Sequence, residues 1–371
     1  MFCKNREENK ERESSFEVQI TVGDKFYAYG FSVILSKRKI TSEWLYELYQ
    51  NGSARCLFER EGNKRPILDS TITLSNTEKN KFEIYADDFE GNESSLFLTE
   101  MNRGKKYTVR SKLLFFKEMY DWIVTHIAVI TPNTPLIDLE YYYDTDSLKL
   151  INKLIETFDT GISKVKIEEI SLDELSNAMP KPVFDKVMRH VKSRIEEQEN
   201  PSFRMTMRSN ESFFNIEVQG HEEPKVTTIR LNHLKSFYDF GFEEESDGTR
   251  RLFDLMDMLL NKREDMLYVV DELERSLHPK LTERFLQLFM QLHSEERMQL
   301  LFTTHESSIM DQSIFRRDEI WFIERDAENA SEIYSLDRFK ERYDKVLSKA
   351  YLEGRYGAIP VFSTFEFREE E

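Results

Sequence analysis

Residues 266–270, Met-Leu-Tyr-Val-Val, form a short apolar run that stops at two adjacent acids, Asp271 and Glu272. A run of this length bounded by charge reads as a strand buried on both faces, and such strands belong to parallel sheets covered by helices. The flanking segments agree. Residues 252–260 and 281–292 repeat apolar side chains at helical spacing, while residues 299–303 and 319–324 form further short apolar strands. This alternation implies right-handed βαβ units and a largely parallel sheet in the last third of the chain. The two acids then stand at the carboxyl edge of that sheet, where α/β proteins place their ligands.

With 371 residues and 39% hydrophobic content, the chain can bury a substantial core, and its length suggests two or three structural units. The longest apolar runs, at 113–116 and 123–130, fall well short of the roughly 18–20 residues needed to cross a bilayer. The first residues are charged rather than signal-like, so neither secretion nor membrane spanning is expected. Only Cys3 and Cys56 occur, too few for a disulfide framework, and a reducing cytoplasm is the expected compartment. The formal net charge of -17 opposes indiscriminate attraction to phosphate backbones. It leaves one candidate basic groove for nucleic acid, at Arg103, Lys105, Lys106, Arg110 and Lys112, for which a solvated face is the plainer alternative.

The first third reads differently. Phe16, Val18, Ile20 and Val22 alternate with polar residues in the period of a half-buried strand. Gly23-Asp24 supplies a hairpin turn, residues 26–35 the returning strand, and residues 40–49 a third. Residues 81–85 and 95–98 are expected to join the same mainly antiparallel sheet. Helical spacing begins near Leu113, and a helical and mixed insertion follows between about 148 and 200. There Leu148, Ile151, Leu154, Ile155 and Phe158 share one helix face, with Gly161 placed to end it. A second helix follows Pro180-Lys181-Pro182, its apolar residues Val183, Val187, Val191 and Ile195 recurring every fourth position.

The chemistry concentrates in residues 241–311. At the tip of the 266–270 strand, Asp271 can hold Mg²⁺ and Glu272 can orient and deprotonate an attacking water. A capped strand-to-helix turn is the plainer reading of an isolated Asp-Glu pair. The second strand ends in Thr303, Thr304 and His305, and a histidine there can sense the γ-phosphate beside the Asp-Glu tip. Upstream, Ser246, Asp247, Gly248 and Thr249 precede an apolar helix whose free N–H groups form an anion site.

In this order, ESDGTRRLFDL, VVDELERSLHP and TTHESSIMD resemble the motifs of ABC-type ATPases related to RecF, SMC, Rad50 and OLD proteins. RRDEIWFIERD, YLEGRYGAIPVF and the early FYAYGFSVILSKRKITSEWLYEL add a closer resemblance to stand-alone prokaryotic ABC-like ATPases, often described as AAA-type, of phage-defence and abortive-infection systems. The resemblance implies an ABC-ATPase-like α/β fold, with a mostly parallel core sheet, an antiparallel β-region and a helical insertion. It implies a β-rich part of the nucleotide-binding head at 1–135, the insertion at 136–235 and a C-terminal lobe at 236–371. It assigns Asp271 as the Walker B magnesium residue, Glu272 as catalytic base, His305 as switch histidine, and Ser276 to coupling between subunits. Ser246, Gly248 and Thr249 would touch the γ-phosphate of nucleotide on the opposite subunit, and an acid in place of Gly248 is expected to leave the subunit's own core intact. ATP and Mg²⁺ are the implied ligands. A homodimer or higher oligomer that closes on ATP is the implied assembly, with any nuclease or toxin a separate chain.

One departure stands out. No G-x-x-x-x-G-K-S/T occurs, and the single Gly-Lys, at Gly104-Lys105, lacks both the earlier glycine and the following hydroxyl. The sequence is therefore expected to start downstream of a P-loop and to be inactive alone. The alternatives are a non-hydrolysing scaffold or regulatory partner, or a clamp ATPase of the DNA-repair type.

Overall fold

The computed structural model describes residues 4–132, 145–209, 212–260, 263–340 and 346–360. Cys3, the 135/136 division and the last two residues of the 351–362 motif lie outside the described residues. The chain groups into two units: Met1–Ile127 with Trp321–Arg338 and Tyr356–Glu371, and Ala128–Ile320 with Phe339–Arg355. No helix among the described residues is long and apolar enough to cross a membrane.

In the first unit, β1 (Ser14–Val22), β2 (Lys25–Ile34), β3 (Lys39–Leu48), β4 (Ala54–Glu61) and β5 (Ile67–Leu68) form one antiparallel sheet in chain order. The two-residue turn at Gly23-Asp24 pairs Val22 with Lys25, with Gly23 at φ +59°. Ile20, Tyr27, Tyr29, Leu45 and Phe58 are buried in the core of this unit. Phe16 and Val18, expected on the same face of β1 as the buried Ile20, remain 48% and 38% exposed.

Three helices follow: α1 (Asn76–Phe89), α2 (Phe97–Asn102) and α3 (Leu114–His126). Residues 81–85 and 95–98 are thus not strands. Ser75 and Glu78 form a reciprocal capping box at the start of α1, and Phe82, Ala86 and Phe89 then fall on one buried helical stripe. At α2 the cap comes from far away in sequence. The Glu43 carboxylate accepts the backbone N–H groups of Phe97 (2.6 Å) and Leu98 (3.0 Å) and the Tyr29 hydroxyl (3.0 Å), with Arg60 at 3.7 Å.

The second unit begins in β6 (Ile127–Ile130), continues through α4 (Thr145–Glu156), β7 (Ile162–Ile170), α5 (Leu172–Asn177) and α6 (Lys181–Glu196), and adds β8 (Ser202–Ser209), β9 (Ser212–Gln219), β10 (Lys225–His233) and β11 (Phe240–Gly241). Strands β7 to β11 make a second antiparallel sheet, which the insertion's sequence pattern did not announce. Ile151, Leu154, Ile155 and Phe158 are buried as expected, but α4 ends at Glu156, before Gly161. Gly161 instead sits in the turn into β7, at φ +81°. The chain then forms α7 (Asp247–Leu260), β12 (Leu267–Val270), α8 (Pro279–Leu292) and β13 (Gln299–Phe302). The order β13-β12-β6 makes a three-stranded sheet in which β12 and β13 run parallel, from Leu267 opposite Gln299 to Val270 opposite Phe302. Leu252, Leu255, Met256, Tyr268, Val270, Phe285 and Leu286 belong to one core between these strands and α7 and α8.

The strand expected at 319–324 is β14 (Trp321–Arg325), which pairs antiparallel with β15 (Ser331–Ser335) in the first unit rather than joining the parallel strands. The last described helix, α9 (Leu347–Leu352), returns to the second unit. The protein is therefore a mixed α/β molecule with a parallel core pair and antiparallel sheets.

Candidate functional site

The ladder between β12 and β13 runs past the ends of both strands. Thr303 N–H donates to the Val270 carbonyl (2.9 Å) and Leu273 N–H to the Thr303 carbonyl (3.1 Å), which holds residue 303 against residues 271–273. The Thr303 hydroxyl donates to Asp271 Oδ1 at 2.6 Å and accepts the Glu272 N–H at 2.9 Å. Glu272 lies at φ +49°, a left-handed conformation that costs a non-glycine residue on the order of 1–3 kcal/mol. Three contacts hold its backbone there: the Thr303 hydroxyl on its N–H, and on its carbonyl the Arg275 N–H at 3.1 Å and Arg251 of α7, whose Nη2 donates at 3.4 Å.

His305 follows directly. Its N–H donates to Glu274 Oε1 (2.8 Å), and its Nε2 stands 4.0 Å from Glu272 Oε1. The His305 side chain is 87% exposed and that of Glu272 43%, so both face solvent where a ligand can reach them. The structure thus brings Asp271, Glu272 and His305 to one sheet edge. Among the described residues no three His, Cys, Asp or Glu form a metal cluster.

The other four residues meet at the start of α7. Ser246 Oγ accepts the Thr249 N–H (3.2 Å) and shares a hydrogen bond with Thr249 Oγ1 (2.9 Å), the arrangement of a helix N-cap. Ser246 is therefore the cap, and the exposed Asp247 carboxylate pairs with Arg250. Gly248 lies directly against the loop after β12: a Cβ there would stand 2.6 Å from the Ser276 carbonyl oxygen. Replacing Gly248 by an acid would consequently disturb the subunit's own packing, contrary to expectation. Ser276 is itself held at φ +62°.

Two participants lay outside the sequence reading. Arg251 is only 6% exposed, and burial lowers its pKa from the usual guanidinium value. It ties α7 to the Glu272 backbone. Glu274 anchors the backbone of His305. Arg251 interrupts an otherwise apolar helix face, and Glu274 is the third acid of the 271–274 run; each was visible as a residue, but their partners depend on tertiary contact.

A family model described as "AAA domain, putative AbiEii toxin, Type IV TA system" matches residues 6–311. No curated protein matches the chain. Among solved structures, the Smc head bound to the C-winged helix domain of ScpA is 11% identical, covering 84% of this chain and 74% of that one, with a TM-score of 0.29. The Smc head domain with an extended coiled coil bound to the C-terminal domain of ScpA, from Pyrococcus furiosus, is 10% identical, covering 84% and 77%, also with a TM-score of 0.29. Because the family match takes in well over half of the 371 residues, the chain belongs to this AAA-domain family.

Proposed function

We infer that this protein is an ABC-like ATPase head that closes a dimer on ATP and reopens it after hydrolysis, in a cytoplasmic anti-phage or abortive-infection system. The observation that carries the reading is the joined tip of β12 and β13, where Thr303 bonds both Asp271 and Glu272 while His305 stands beside Glu272. Membership of an AAA-domain family supports ATPase-type chemistry, and the toxin–antitoxin wording of that family's description supports the defence setting.

The residues divide the work. Mg²⁺ that travels with nucleotide takes one or two protein carboxylates and completes its shell with phosphates and water. Asp271 fits that demand, since its carboxylate is exposed and, among the described residues, only Oδ1 accepts a hydrogen bond. When bound, the ion neutralises β- and γ-phosphate oxygens. Glu272 orients the attacking water and takes its proton. His305 meets the γ-phosphate from the adjacent strand tip. Ser246, Gly248 and Thr249 present the positive end of α7 to nucleotide on a second subunit, and Ser276 relays that contact. The functional division 1–135, 136–235 and 236–371 goes with this reading, and a nuclease or toxin would be a separate chain.

The chain by itself is expected to bind Mg·ATP weakly or not at all, because the cradle of backbone amides that anchors phosphates is missing from its sequence. Submicromolar affinity in isothermal titration would refute that. Furnished with a P-loop lobe, it should release phosphate slowly. The Glu272→Gln form should lose about 10²- to 10⁴-fold in rate while nucleotide-bound dimers persist in light scattering. Unchanged turnover in that variant removes Glu272 from the role of base.

A further inference from the structure

The loop between α2 and α3 in the first unit carries Arg103, Lys105, Lys106, Arg110 and Lys112 and contains no acid. Lys105 is spent internally: its ammonium reaches Glu100 Oε1 at 2.6 Å and lies 4.0 Å above the Tyr85 ring. The other four are exposed, and among the described residues their side chains make no ion pair or hydrogen bond. Elsewhere in the same unit, Lys37, Lys39, Lys64 and Arg65 pair with carboxylates, while Arg12, Arg38 and Lys79 are exposed and make no ion pair among the described residues.

The loop is also built, not loose. Glu78 of α1 accepts the Ser111 hydroxyl and the Lys112 N–H, each at 2.8 Å. Tyr107 donates to the Met101 carbonyl (2.5 Å), and Lys81 donates to the Lys106 carbonyl (3.1 Å) from above the Tyr107 ring. Three carboxylates on α1, α2 and α3 are engaged: Glu83 with Arg65, Glu100 with Lys105, and Asp121 with Lys117. A chain of net charge -17 thus holds, on a clamped loop, four cations that are unpaired among the described residues.

We propose that this loop binds the phosphate backbone of duplex nucleic acid without reading its bases. Side chains that neutralise successive phosphates need no base contact, and their affinity is carried by released counterions. Single-stranded binding relies on open aromatic faces for base stacking. Here both nearby rings, Tyr85 and Tyr107, are covered by lysine ammonium groups, which selects the duplex.

The test is fluorescence anisotropy of the full chain with a short labelled DNA duplex of mixed sequence, from about 50 to 200 mM salt. Four phosphate contacts give a slope of log affinity against log salt of about -3 to -4, at about 0.9 per phosphate. The combined variant R103Q, K106Q, R110Q, K112Q, whose four sites are exposed, should lose at least tenfold in affinity at low salt, with the slope collapsing. Arg110→Gln alone should lower the slope by about one. A control variant on α6, K186Q, R189Q, K192Q, should bind as the unmodified chain does. Undetectable duplex binding, unaltered binding by the loop variant, or loss only in the α6 control each overturns the proposal. So does tighter loop-dependent binding of single strands, anionic vesicles or polyglutamate than of duplex.

Discussion

At Gly248 a single methyl group would stand 2.6 Å from the Ser276 carbonyl oxygen, closer than carbon and oxygen tolerate. Because the obstacle is backbone rather than a flexible side chain, Gly248→Ala should destabilise by about 1–3 kcal/mol, read by urea denaturation without nucleotide. Ser246→Ala removes only the cap and should cost about 1 kcal/mol. Equal stability of the Gly248→Ala and unmodified proteins would show that the loop at Ser276 yields freely. Glu78 offers a test by pH. Burial alone would raise its carboxyl, but hydrogen bonds from Ser75, Ser111 and the Lys112 backbone outweigh it and hold the group down at about 2, from an ordinary 4.5. A depressed folded value means that the stabilisation is complete above the unfolded value and is lost as pH falls from about 4.5 toward 2. The stability difference between the unmodified protein and Glu78→Gln should therefore shrink across that window in denaturation curves, and a difference constant from pH 6 to 2 would rule the linkage out.

Elements differ in how plainly the sequence declares them. The strands at 266–270 and 299–303 and the helices at 252–260 and 281–292 were legible because each packs against a core that demands one simple period: an unbroken apolar run, or apolar residues every third or fourth place. α1 was misread because Lys81-Phe82-Glu83-Ile84-Tyr85 also alternates, in a window too short to separate the two periods. The Ser75-x-x-Glu78 box was the decisive local signal. No local signal existed for α2, whose first amides are capped by Glu43, 54 residues earlier. The same holds at the site. Asp271, Glu272 and His305 announce themselves at strand ends, whereas the partners of Arg251 and Glu274 arise only once α7 meets the loop after β12 and β13 lies beside β12. Thr303 joins the two strand tips through one hydroxyl, so Thr303→Val should speed amide hydrogen exchange at residues 272–273 while leaving the α8 amides protected. Uniform acceleration through α8 would mean that Thr303 supports the unit as a whole.

On the scale of the molecule, the buried apolar residues divide cleanly. One core, including Leu45, Phe58 and Phe116, lies wholly in the first unit, and two others, including Phe285 and Val191, lie wholly in the second. Leu45→Ala should cost about 2–5 kcal/mol and Phe285→Ala about 3–5, each lowering hydrogen-exchange protection mainly in its own unit. Equal loss across both units after either change would show a single cooperative block. The first unit is also discontinuous, since the β14–β15 hairpin belongs with β1–β5 although all of residues 128–320 intervene. On a ribosome adding about 5–20 residues per second, the five-stranded sheet, complete at Leu68, emerges about 13–50 s before that hairpin begins at Trp321. During this interval the nascent chain carries an incomplete unit, the kind of species that chaperones engage. A premature stop codon within residues 128–320 therefore deprives both units of part of their chain, not only the one it interrupts.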